Sequence, residues 1–230
     1  MPHTRIKRIR DTVSRRRSRF INDLILLNHT IATTPLDQHY WVSGGLLLGW
    51  ARERKLLDND YHDADFGILA SDRSLFLSAI ASLKEAGFRP LYRWRNNSYR
   101  TTEWVLEKNG ARFEFFEYEK KAPNMLRNFG YFPMECSWEE VSAKHPFVIE
   151  QVELLLPDQP RVPFTFLEVD WLKAQDHELE LDSLYGPRWR ASRDEFYSTP
   201  WITGHHSPAV VVREPWKVTN FDWDGSIDGP

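Results

Sequence analysis

Between Ser43 and Ile68 the chain reads SGGLLLGWARERKLLDNDYHDADFGI, and its residue types and spacing could do chemistry. Asp63 and Asp65 flank one apolar residue in an alternating stretch, so both project from the same face of a strand. Two such carboxylates repel each other and lose hydration unless a proton or cation compensates. A hard divalent ion held through oxygens, Mg2+ or Mn2+, is the natural counter-charge. Glu114, among the aromatics of RFEFFEY, needs a partner too. Arg112 or Arg93 could supply it in a cross-strand ion pair, or the same metal could take Glu114 as its third carboxylate. Gly44 and Gly45 lead into an apolar helix, where bare amides and the positive end of the dipole make a phosphate cradle. Arg52, farther along that helix, is suited to clamp a phosphate oxygen. Ser43, Gly44, Gly45 and Arg52 are thus the candidate substrate-binding residues, opposite the candidate catalytic and metal-holding Asp63, Asp65 and Glu114. Metal-bound carboxylates facing a phosphate cradle suit phosphoryl transfer.

The elements that must position these residues are legible in outline. A basic helix is expected over about Arg5–Ile31, broken by Pro35. HYWVS reads as a short strand, LLLGWARERK as a helix and DADFGILA as a strand. Ser71 is a candidate N-cap for an amphipathic helix closed at Gly87. Asn109-Gly110 predicts a two-residue hairpin turn between TEWVLEK and ARFEFFEYE. A second hairpin is expected to turn at Pro157–Pro160, followed by a helix over about Phe166–Tyr185. Without regular βαβ spacing, an α+β domain with a mixed sheet flanked by helices is expected. The predicted organisation is a basic helix over 1–34, a catalytic domain over 35–200 and an irregular tail over 201–230.

The ordered set of motifs resembles the LicD/fukutin family of nucleotidyltransferase-fold proteins, which includes fukutin-related protein. It comprises Gly44, Gly45, Leu47, Leu48, Gly49 and Arg52, then Asp63, Asp65, Gly67 and Ile68. Glu114, Phe115 and Phe116 follow, and finally Tyr185, Gly186 and Trp189. The resemblance implies a nucleotidyltransferase-like mixed sheet and a metal-dependent transferase. Such an enzyme moves a substituted phosphate, phosphocholine or a polyol phosphate, from a nucleotide-diphosphate-linked donor to a glycan hydroxyl. By that resemblance Asp63 and Asp65 hold the metal, Glu114 completes the site, and Gly44 and Gly45 cradle the donor phosphates. The chain departs from the pattern at Leu46, where a Thr or Ser is usual, and at Tyr61, where many members carry another Asp. Asp60 replaces that acid only if the loop is shifted by one residue. A small-molecule nucleotidyltransferase using a nucleoside triphosphate shares the glycine turn and the paired aspartates, and a silent binding domain of the same fold is a third reading.

Composition bounds the partners. The first twenty residues hold eight Arg/Lys against one acid, whereas the remaining 210 carry a net charge of -10. The body therefore excludes nucleic acid as a bulk-charge partner, and only the leading helix suits anionic lipid, near a lipid-linked glycan acceptor. A lone Cys136 and the lack of an 18-residue apolar run suggest a cytoplasmic location, and two readings of the leading helix stay open: its apolar residues pack on the body, or its basic face rests on anionic lipid. His62, by strand alternation, is expected on the face opposite the aspartates in a structural role. His205-His206 reads as a solvated turn, and the tryptophans read as core or lid packing.

Overall fold

The computed structural model describes residues 2–58, 60–95, 101–132, 147–191 and 206–215. Cys136, Trp138, Asn96, His205 and the acidic stretch after Asn220 lie outside them. The first helix, α1 (Pro2–Ile31), lays Phe20, Leu24, Leu27 and Ile31 into the core, each 2% exposed or less. Their four-three-four spacing keeps them on one helical face. Burying them contributes roughly 6–12 kcal/mol as an upper estimate from about 1.5–3 kcal/mol per side chain. A polar clasp reinforces the contact: Asn109 Nδ2 donates to both carboxylate oxygens of buried Asp23, at 3.1 and 2.9 Å. No described helix is long and apolar enough to cross a membrane.

Strand β1 (Tyr40–Val42) runs into α2 (Gly44–Glu53), which ends at Arg54 in the left-handed region (φ 56°). Strand β2 (Asp63–Leu69) follows, then a 3-10 turn and α3 (Arg73–Glu85), which buries Phe76, Ala79, Ile80 and Leu83. Strands β3 (Arg89–Arg95), β4 (Thr101–Lys108), β5 (Ala111–Ala122), β6 (Met125–Phe132) and β7 (Phe147–Pro157) come next. The chain continues through β8 (Arg161–Phe166), β9 (Val169–Ala174), α4 (His177–Tyr185) and β10 (His206–Pro215).

Eight strands form one mixed sheet in the order β1-β2-β5-β4-β3-β10-β7-β6. The far end of β5 also pairs with β6, so the six strands from β5 round to β6 close into a ring. Within this sheet β2 and β5 run parallel while the other pairs are antiparallel. The expected α+β architecture with an N-terminal helix is therefore present. Period-two alternation decides the faces: Ala64, Phe66 and Ile68 of β2 enter the core at 1% exposure or less, leaving Asp63 and Asp65 opposite. The β4–β5 hairpin turns at Asn109 (φ 53°) and Gly110 (φ 83°), the conformation that Asn-Gly favours.

Three expectations are corrected. Pro157–Pro160 closes no hairpin between β7 and β8. β7 instead pairs with β6 and β10, while β8 pairs with β9 as a separate ribbon. The helix expected from Phe166 begins only at His177, because Phe166–Ala174 turns through Leu167 and Glu168, both at positive φ, into β9. Residues 206–215, expected to be irregular, form β10 between β3 and β7. Local patterning cannot register such a strand, since its partners lie over 50 residues away.

Candidate active site

The parallel pairing of β2 with β5 sets Asp65 opposite Glu114 and Asp63 opposite Arg112. The glycine turn comes to the same place because β1 pairs with β2 and the Ser43 amide donates to the Asp65 carbonyl at 3.0 Å. There the Gly45 amide donates to Asp65 Oδ2 at 2.8 Å. A Cβ on Gly44 would stand 2.0 Å from that oxygen, and Gly44 has φ +51°, so a side chain is excluded twice over. A Cβ on Gly45 would meet Asp60 Oδ2 at 2.8 Å and Asp65 Oδ2 at 3.7 Å. The glycine amides thus already face negative charge, two carboxylates that converge where side chains are missing.

Arg112 is the cation at the centre. Its Nη2 lies 3.2 Å from Asp63 Oδ2 and its Nε 3.3 Å from Glu114 Oε1, and it also bonds the Tyr92 hydroxyl. One guanidinium does not neutralise the acids around it. Burial first, then Asp63, pushes the Asp65 carboxyl up to about 7. Burial pushes Glu103 up to about 8 despite Arg112, with Asp65 adding to the rise. Glu114 is held well above the carboxylate range by burial and by Glu103. Such a crowd of oxygens, short of positive charge, is the donor set that a hard cation fits.

Ligand atoms of Asp60, His62 and Asp63 also lie within 4.8 Å of one another. His62 is therefore not turned away from the aspartates: its Nε2 is 3.6 Å from Asp63 Oδ1. Alternation fails for it because β2 begins at Asp63, leaving His62 in the preceding bend. Asp60 does reach the site, with its Oδ2 beside Gly45 and its carboxylate grouped with His62 and Asp63.

Two candidate residues are engaged elsewhere. Ser43 is 2% exposed, and its hydroxyl donates to Glu180 Oε1 of α4 at 2.6 Å. Arg52 Nη2 donates to the Ala191 carbonyl at 2.8 Å, fastening α2 to the segment after α4. Tyr185 is close enough that Asp65, Asp60 and Asp63 each raise its hydroxyl pKa, after burial. Glu103 was not singled out from sequence. Its only local signal is an acid alternating with Val105, and its neighbour Phe116 lies across the strand pair.

Compared with known families, residues 37–155 match LicD/FKTN/FKRP, nucleotidyltransferase domain. The chain belongs to the LicD/FKTN/FKRP family. The match covers the glycine turn, the paired aspartates and Glu114, and stops before Tyr185, Gly186 and Trp189. No curated protein matches the chain significantly. Membership in LicD/FKTN/FKRP makes the chain a transferase domain of a glycan-directed kind, from a family in which metal dependence is common.

Proposed function

We propose that the chain is a metal-dependent transferase carrying a substituted phosphate from a nucleotide-diphosphate-linked donor to a glycan hydroxyl, with 35–200 as the catalytic unit. The observation that carries this reading is the in-register meeting of Asp65 and Glu114 against the Gly44–Gly45 turn. Asp63, Asp65 and Glu114 would hold Mg2+ or Mn2+, with Asp60 at the edge, and the ion would supply neutralisation of charge on the phosphate groups. Gly44 and Gly45 let the donor phosphates approach the backbone, where amides free of side chains, among them that of Gly45 beside Asp65, can donate to phosphate oxygen. Glu114, in register with Asp65 beside the glycine turn, is positioned to accept the proton of the acceptor hydroxyl. The acceptor oxygen then bonds to the phosphorus that bears the transferred substituent as its P–O bond to the nucleotide breaks, and a nucleoside monophosphate leaves. Arg112 keeps Asp63 and Glu114 in place and offsets part of their charge.

Incubation of the full chain with Mn2+ and a panel of CDP-, GDP- and UDP-linked polyol or choline donors tests this. Nucleoside monophosphate should appear, should depend on metal, and should be lost in Asp63→Asn. Pyrophosphate release from a nucleoside triphosphate, without monophosphate from any diphosphate donor, would overturn the proposal.

A further inference from the structure

A cleft of about 330 Å³ opens beside the acid cluster, between α1 and the β4–β5 turn. Arg16 and Arg19 of α1 form one wall, and Tyr61 and His62 form the side toward Asp63. His62 belongs to both places, since it lines the cleft and shares the acid cluster with Asp63 and Asp60. Neither arginine forms an ion pair with a described side chain, and both are exposed. The acid in the wall, Asp23, is already bound by Asn109. Arg17, next along the helix, lies 5.7 Å from the Tyr61 ring centroid and so adds positive charge at the same rim. On a body of net negative charge, this is a local concentration of cations without a carboxylate partner among the described residues, with an aromatic side, at the threshold of the carboxylates.

Two unpaired guanidiniums converging on a cavity fit phosphate oxygens in particular, because each offers a planar fork of donors. The cavity is too small for a whole glycan but ample for a phosphate or diphosphate with part of the attached sugar. We infer that this cleft is an acceptor subsite: it binds a phosphate or diphosphate group borne by the acceptor and thereby presents the acceptor hydroxyl to the carboxylates. The assignment to the acceptor rests on the transferase reading above, whereas the anion site itself does not. The donor phosphates belong at the glycine turn, whose residues do not line the cleft. A chemically equivalent source of phosphate is the headgroup layer of an anionic membrane, which the basic face of α1 would touch from outside the cleft.

Inorganic pyrophosphate is the probe, titrated calorimetrically into the full chain in chelator-treated, low-salt buffer. Wild type should bind it, the Arg16→Gln/Arg19→Gln variant at least tenfold more weakly, and Asp63→Asn as well as wild type. Because the site is solvent-accessible, affinity should also fall as salt is raised. Equal affinity in wild type and the arginine variant, or no binding by wild type, overturns the inference. So does loss of binding in Asp63→Asn, which would put the anion at the acid site. In parallel, sedimentation with phosphatidylglycerol vesicles separates the sources: vesicle binding lost in the arginine variant while pyrophosphate affinity stays unchanged would make these arginines a lipid contact and overturn the cleft. The pyrophosphate result reads the cleft without turnover, so failure of the transferase assay leaves it intact as an anion site.

Discussion

Replacing Asp65 by asparagine strikes the electrostatic centre of the site. Burial and Asp63 raise this carboxyl from the usual 3.8 to about 7. An acid whose folded-state pKa lies above its unfolded one holds its proton more tightly in the folded chain. Its contribution to stability is therefore fully present below pH 4 and lost as pH rises through 7. At roughly 1.4 kcal/mol per pH unit, the loss is on the order of 1–2 kcal/mol at pH 5 and about 4 kcal/mol above pH 7. Asparagine keeps an oxygen for the Gly45 amide but never ionises. Metal-free Asp65→Asn should then gain on wild type as pH rises, by roughly 2–3 kcal/mol between pH 5 and 8, or about 5–10 °C in Tm for a chain of this length. Glu103 is raised partly by Asp65, so its smaller rise in the variant widens the gap in the same direction. Thermal melts in chelator at pH 5, 6, 7 and 8 measure the gap, and repeating them in Mn2+ should stabilise wild type more than the variant. A gap that stays constant with pH, or a variant less stable at pH 8, would refute the account of Asp65 as an acid kept ionised at a cost.

Gly44→Ala should abolish donor turnover and lower Tm, because the new methyl group falls on Asp65 Oδ2 at a positive φ; nucleotide release and a melt check both. Asn109→Ala should lose about 2–4 kcal/mol in denaturant unfolding, since Asp23 keeps a buried charge without its amide and alanine resists φ 53°. Ser43→Ala should cost about 1–3 kcal/mol by leaving Glu180 without its hydroxyl partner, and should raise the donor KM more than it lowers kcat if that bond steadies the glycine turn.

The N-terminal helix, the glycine turn, the alternating β2 strand and the Asn-Gly hairpin were all legible in the sequence. Each is governed by interactions within a few residues: helical spacing of Phe20, Leu24, Leu27 and Ile31, the freedom of glycine, and the two-residue period that puts Asp63 and Asp65 together. The same periodicity flagged Glu114 as an acid in need of a partner. What the sequence left open was which partner. Arg112 takes part of that role because β2 and β5 pair in parallel with Asp63 opposite Arg112, a register that no local pattern encodes. Glu103 and Asp60 joined the cluster for similar reasons, one by the β4–β5 pairing and the other by a loop path around Tyr61.

Strand pairing over long separations also decided where sequence reading went astray. β7 and β8 look like two arms of one hairpin, yet each finds a better-matched edge elsewhere. Ser43 sits next to the glycines in sequence, but the packing of α4 against the turn engages its hydroxyl with Glu180. Residue type and spacing alone determined that Asp63 and Asp65 share one strand face and that Gly44-Gly45 leave a bare backbone turn. Tertiary structure alone decided how many acids share that space, which cation stands among them, and that a helix from the far N-terminus walls a basic cleft at their side. Distances between remote segments come from core packing and strand register, which depend on the whole chain at once.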